Sequence, residues 1–126
     1  MVLIIGGAYQ GKQRYAKEQY PGLVWAEAGT ASEEQLLQSG GILDLQDYIR
    51  RQIEEQKSVS GLAERLIRNN PDAVITVQEV GYGVVPVDRT DRIYREVTGR
   101  ICTCLAAYSS RVIRVICGIG TVIKDV

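Results

Sequence analysis

Val2-Leu3-Ile4-Ile5-Gly6-Gly7-Ala8-Tyr9-Gln10-Gly11-Lys12-Gln13 is the stretch on which the reading of the fold turns. Its first four residues are apolar without alternation, which suits a strand buried on both faces of a parallel sheet. Gly6-Gly7 ends the run, and Lys12 to Tyr20 has helical composition until Pro21-Gly22 stops it. Strand, glycine loop and helix in that order give the pattern G-x-x-x-x-G-K a mechanism. Backbone amides wrap a polyphosphate, the helix N-terminus adds partial positive charge, and the lysine reaches the outer phosphates. Gly6, Gly7, Ala8, Tyr9, Gln10, Gly11, Lys12 and Gln13 are therefore the candidate ligands of a nucleotide such as ATP or GTP. The plainer reading is a glycine turn that packs strand on helix, with Lys12 in solvent. Gln13 stands where a Ser or Thr hydroxyl normally ligates Mg²⁺. Its amide oxygen is neutral and on a longer arm, and Mg²⁺ demands tight octahedral geometry. Nucleotide binding tolerates this change better than fast phosphoryl transfer does.

Outward from that loop, Leu23 to Ala26 reads as a second strand. Thr30-Ala31-Ser32-Glu33 has the form of a capping box, opening a helix that runs to Gln38 and ends at Gly40-Gly41. Asp44 caps a further helix with Leu45, Ile49 and Ile53 on one stripe and Arg50, Arg51, Glu54 and Glu55 outside. Ser58 or Ser60 starts the next, whose apolar face is Leu62, Leu66 and Ile67, and Asn70-Pro71-Asp72 breaks it. Ala73 to Val77 is the third strand, ending in Gln78-Glu79-Val80 and a Gly81-Tyr82-Gly83 loop. Thr90 or Asp91 opens a long helix through Ile93, Val97, Ile101, Leu105 and Tyr108. Val112 to Ile116 is the fourth strand, and Gly118-Ile119-Gly120 turns into a short last one, Thr121 to Ile123. Strands alternating with helices predict an α/β fold: a mostly parallel sheet, helices on both faces and right-handed connections. No repeat, low-complexity tract or linker divides residues 1–126, which read as a single domain.

The composition narrows the function. The chain has 126 residues, 45% hydrophobic and 24% charged, with 15 Lys+Arg against 15 Asp+Glu. A domain of this size buries roughly two-thirds of its unfolded surface and needs no staples. Zero net charge argues against nucleic acid or a membrane as a partner held by broad electrostatics. No apolar run approaches the ~18 residues of a membrane span. The N-terminus lacks the basic region and cleavage site of a signal peptide, and the expectation is a cytoplasmic protein. Cys102, Cys104 and Cys117 show no disulfide-framework spacing, and two neighbouring thiols do not close a zinc site. The chain has no histidine. That removes a His general base, Cys-His and Ser-His pairs, and any phosphohistidine.

Glu79 sits where the third strand ends, and in open α/β sheets ligands lie beyond the carboxyl ends of strands. Two readings fit it. It faces the Mg²⁺–phosphate position or takes a proton from an acceptor hydroxyl, or it is a solvated strand-end carboxylate. Arg89, Arg92, Arg95 and Arg100 stand among Asp88, Asp91 and Glu96. On a helix 89, 92 and 95–96 lie near one face, where they clamp phosphates or form a charge-paired solvent face. The apolar string Val80, Val84, Val85 and Val87 suits an active-site wall or a subunit contact.

Several of these pieces together are more specific. Gly6-Gly7-Ala8-x-x-Gly11-Lys12, Glu79-Val80-Gly81-Tyr82-Gly83-Val84-Val85-Pro86, Arg89-x-x-Arg92-x-x-Arg95, Gly99-Arg100 and Gly118-Ile119-Gly120 occur in one chain. In these strings it resembles the adenosylcobinamide kinase / adenosylcobinamide-phosphate guanylyltransferase family, most strongly over 73–123 and at the N-terminal loop, and thinly between about 28 and 70. The resemblance implies a RecA-like P-loop domain, often trimeric. It also implies a kinase that uses ATP or GTP to phosphorylate the aminopropanol hydroxyl of a corrinoid in cobalamin biosynthesis. Carried over by position, Gly6, Gly7, Gly11 and Lys12 hold the nucleotide phosphates, Lys12 and Glu79 are catalytic, and Glu79 organises Mg²⁺. Arg89, Arg92, Arg95 and Arg100 line the substrate side. The chain departs from the pattern at Gln13, at Cys102-Thr103-Cys104 and in a shortened middle. The family's second reaction, GMP transfer through a guanylylated histidine, is excluded here by the absence of histidine. Three classes of function remain: a single-activity kinase, a degenerate module that binds nucleotide or corrinoid without turnover, and a structural oligomer subunit with a vestigial loop.

Overall fold

The N-terminal apolar run becomes the middle of a sheet because it can be covered from both sides. A computed structural model describes residues 1–79 and 88–126. In chain order its elements are β1 (Val2–Gly6), α1 (Lys12–Gln19), β2 (Trp25–Glu27), α2 (Glu33–Gln38), β3 (Gly41–Leu43) and α3 (Leu45–Glu54). There follow α4 (Leu62–Asn69), β4 (Val74–Gln78), α5 (Arg89–Tyr108), β5 (Arg111–Ile116) and β6 (Ile119–Asp125). The sheet order is β2-β3-β4-β1-β5-β6, parallel except for β6, which runs antiparallel to β5. The α/β class and the mostly parallel sheet are as the sequence suggests.

Adjacent residues of β1 enter different cores. Ile4 joins Val74, Ile113 and Val115 beneath Ala16 of α1. Leu3 joins Ile75, Val77 and Val112 beneath Leu36, Ile49, Leu66, Ile101 and Leu105 of the other helices. Leu3 and Ile4 are both fully buried, each contributing about 1.5–3 kcal/mol over an exposed position.

Four expectations need correction. Gly40-Gly41 does not simply end a helix: Gly41 opens β3, and its lack of a side chain makes room for the Trp25 indole. A Cβ at 41 falls 2.3 Å from the Trp25 ring, so the glycine is there for packing. The capping box forms two residues later than expected, between Ser32 and Gln35 rather than Thr30 and Glu33. The helices α4 and α5 are preceded by Gly61 and Asp88 instead of Ser58 or Ser60 and Thr90 or Asp91. The last strand runs from Ile119 to Asp125, longer than Thr121 to Ile123, and the turn before it is Cys117-Gly118, both at positive φ.

All parallel strands finish at one edge of the sheet. The loop after β1, Asp44 after β3 and Glu79 after β4 therefore share one neighbourhood. The Gly81-Tyr82-Gly83 loop and the string Val80, Val84, Val85 and Val87 lie outside the described residues. No helix among the described residues is long and apolar enough to cross a membrane.

Candidate functional site

Two glycines shape the loop after β1. A Cβ on Gly6 falls 2.6 Å from the Val115 carbonyl oxygen, so a larger residue there pushes β5 away. Gly11 takes a left-handed φ of 87° immediately before α1 and faces Gly118 closely. Among the described residues, no backbone carbonyl receives a hydrogen bond from the amides of residues 8–11. These donors are the material of an anion nest. Ala8, Tyr9 and Gln13 are exposed, and Tyr9 holds φ 59° at the loop tip. Gln10 ties the loop down. Its side-chain Oε1 accepts from the Cys117 amide at 2.7 Å, and its carbonyl accepts from the Gly118 amide at 2.8 Å.

Lys12 is the first residue of α1 and is only 7% exposed. Its ammonium donates to the Gly7 carbonyl at 2.7 Å, across the loop it belongs to. Burial lowers its pKa, and the carboxylates of Asp44 and Glu79 partly offset that shift. A neutral carbonyl is a weaker acceptor than a phosphate oxygen, so an arriving anion displaces it readily.

Asp44 is the site residue that sequence reading treated only as a helix cap. It stands after β3 with φ 59°, and its amide donates to Thr76 Oγ1 at 2.8 Å. Its carboxylate makes no capping bond and acts on Lys12 instead. It also helps to raise the pKa of Asp47, whose burial is the larger cause. The signal was Ile42-Leu43-Asp44, an apolar strand ending in an acid, the form of the metal-binding strand end in phosphate-loop enzymes.

Glu79 keeps its strand-end place but not open solvent. Its amide donates to the Gly6 carbonyl at 2.8 Å. Its carboxylate accepts from Arg114 Nε at 2.7 Å and Nη2 at 3.0 Å, a bidentate pair. The Glu79 side chain is 10% exposed. The register sets Ile5 beside both Arg114 and Val77, so the pair reaches across β1 on one face of the sheet. Beside it lies a cavity of about 350 Å³ lined by Ile5, Glu79, Gly99, Cys102, Arg114 and Ile123. Burial, then Glu79, pushes the Cys102 thiol up to about 11, so it stays protonated at neutral pH. All three cysteines are free.

The four arginines are spread along α5. Arg89 and Arg92 are exposed on the first turns of α5. Arg95 pairs with Asp91 at 3.2 Å, and Asp91 also receives Arg50 at 3.2 Å. Arg100 pairs with Glu96 and lines a separate cavity of about 460 Å³ between the α3–α4 connection and α5.

Among the described residues no group of three or more His, Cys, Asp or Glu side chains can hold a metal ion alone. A Mg²⁺ ion carried by phosphates needs only one or two protein oxygens. Asp44, whose carboxylate acts on Lys12, is the described acid best placed for that need. Glu79 already has a partner.

The chain matches the family described as cobinamide kinase / cobinamide phosphate guanyltransferase over residues 24–123. That match starts after the glycine–lysine loop. Two relatives are each named bifunctional adenosylcobalamin biosynthesis protein CobU, one from Escherichia coli (strain K12) and one from Salmonella typhimurium (strain LT2). Each is 43% identical over 51 residues, which is 40% of this chain and 28% of the relative.

Proposed function

This chain belongs to the cobinamide kinase / cobinamide phosphate guanyltransferase family, and on that premise we propose that it is a phosphate-loop kinase of cobalamin biosynthesis. It binds ATP or GTP at Gly6–Gln13 and transfers the terminal phosphoryl group to a corrinoid alcohol. It performs no guanylyl transfer through histidine, because it has none. The observation that carries this reading is Lys12, buried at the head of α1 and resting on a loop carbonyl under the field of two carboxylates.

Phosphoryl transfer relies on positioning and charge stabilisation, which this chain's residues supply. The amides of residues 8–11 and the α1 N-terminus hold the phosphate oxygens. Lys12 leaves Gly7 and neutralises charge on the transferred group. Asp44 would hold Mg²⁺, which would supply charge neutralisation for the phosphates. Glu79 orients the acceptor hydroxyl from its fixed place against Arg114.

One observation favours a second reading. Both carboxylate oxygens of Glu79 are engaged by Arg114, which leaves it less free to meet an acceptor hydroxyl and suits a module that binds nucleotide without turnover. The experiment is a product assay with ATP or GTP, Mg²⁺ and adenosylcobinamide, run beside Lys12→Ala. Adenosylcobinamide phosphate formed by the wild type and lost in the variant supports the kinase. Nucleotide binding without product supports the second reading, and equal product from both proteins refutes the mechanism.

A further inference from the structure

We propose that the base of the bound nucleotide lies on the β5–β6 side of the loop, where Arg14 and Tyr15 form a stacking surface for a purine. The inference rests on the phosphate site proposed above and adds what that reading leaves open, the direction in which the nucleoside leaves the loop. A cavity of about 380 Å³ stands there, lined by Tyr9, Gln10, Arg14, Tyr15, Glu18 and Gly118. Its volume is in the range of small-ligand sites. It also borders Gly11, the residue immediately before Lys12, so a nucleoside whose phosphates sit at the α1 N-terminus reaches it without crossing the protein.

Among the described residues, the other side of the loop is charged. It holds the carboxylates of Asp44 and Glu79, which act on Lys12, and the Glu79–Arg114 pair spans it. Acids there serve an acceptor and a metal ion and repel the inner phosphates. On the β5–β6 side the lining is phenol rings and a guanidinium whose charge is balanced by Glu18. Both kinds of group stack on a π-face. The larger double ring of a purine covers more of such a surface.

Two structural details show that this wall is set in advance. The Tyr15 ring lies over Gly120, where a Cβ falls 2.3 Å from the ring, so the strand leaves room for the aromatic. The Cys117-Gly118 turn is pinned to the loop by both hydrogen bonds of Gln10. Arg14 pairs with Glu18, one turn on, at 3.0 Å, and the exposed pair leaves its guanidinium able to turn towards a ligand. Tyr9 adds a sign of unmet binding. It holds a left-handed backbone that a non-glycine residue adopts at a cost, and its side chain is wholly exposed. Among the described residues, no packing of that side chain offsets the cost.

The test is calorimetric titration with inorganic tripolyphosphate, ATP, GTP and UTP, using the wild type, Arg14→Gln and Tyr15→Leu. Arg14 is on the surface, so the first variant folds even where the second is weakened. The expected result is ATP and GTP binding about tenfold tighter than tripolyphosphate, the scale of one base on an aromatic platform, with UTP in between. Each variant lowers the ratio of nucleotide to tripolyphosphate affinity towards one. Equal affinity of tripolyphosphate and the nucleotides in the wild type overturns the base site while leaving the phosphate site intact. So does an unchanged ratio in Arg14→Gln and in a Tyr15→Leu protein that folds. Absence of tripolyphosphate binding defeats the phosphate reading itself, and this inference with it.

Discussion

The two sides of the phosphate loop are built on different principles. At the ends of β3 and β4, charge meets charge: Glu79 is clamped by Arg114, which reaches across β1 from β5, and Asp44 stands within the field of Lys12. On the β5–β6 side, backbone and aromatic contacts do the holding, through Gln10 on the Cys117-Gly118 turn and Tyr15 over Gly120. The first side is tuned by ionisation, the second by shape. Under the proposed function, a loop that grips a highly charged ligand and releases it is anchored on the side whose contacts do not depend on that charge.

The largest expected effect comes from unbalancing the charged side. Arg114→Leu leaves the nearly buried Glu79 carboxylate without its partner, and urea unfolding should show a loss of about 2 kcal/mol, below the full cost of a wholly buried pair because Arg114 is half exposed. Glu79→Gln combined with Arg114→Leu should recover most of it. A double variant as unstable as Arg114→Leu alone would mean that Arg114 acts through packing and not through charge.

The shape-held side gives the next effect. Gly120→Ala drives a methyl group into the Tyr15 ring, and overpacking of this kind costs about 1–3 kcal/mol. Adding Tyr15→Leu should relieve it, read by thermal unfolding of the pair. Gln10→Ala is milder. Losing its side-chain bond to the Cys117 amide should cost about 1 kcal/mol and speed hydrogen exchange at that amide.

The smallest effect is a pH dependence. Burial lowers the Lys12 pKa below the ordinary 10.5. A lysine whose folded pKa is lowered is disfavoured as an ammonium in the free protein, so the fold gains stability as pH rises through that value. Phosphate binding needs the ammonium. Affinity should therefore hold at neutral pH and begin to fall below pH 10.5, with proton uptake on binding in the alkaline range. A fall confined to higher pH would place Lys12 in free solvent.

Much of the shape-held side was legible in the sequence, because glycine marks backbone geometry wherever it occurs. Gly6 and Gly11 announced the loop, and Val2 to Ile5 announced a strand buried on both faces. The short strand β3 was not legible: three residues give no period, and Gly41 looked like punctuation until Trp25 was seen to need its space. That oversight also hid Asp44, whose role depends on β3 ending beside the loop. The charged side was harder still. Arg114 and Glu79 lie 35 positions apart, and only strand register brings them to one face. The arginines of α5 show how two readings stay open in a sequence. Their spacing allows a phosphate clamp or a charge-paired face, and Asp91 and Glu96 engage Arg95 and Arg100 along the helix itself.

The central claim is that Gly6–Lys12 forms a nest for a triphosphate. Titrating the wild type and Lys12→Ala with inorganic tripolyphosphate, with circular dichroism confirming that both are folded, tests it most directly. The account predicts a saturable isotherm for the wild type that Lys12→Ala abolishes. Identical isotherms for the two proteins, or no heat from the wild type at millimolar ligand, would contradict it.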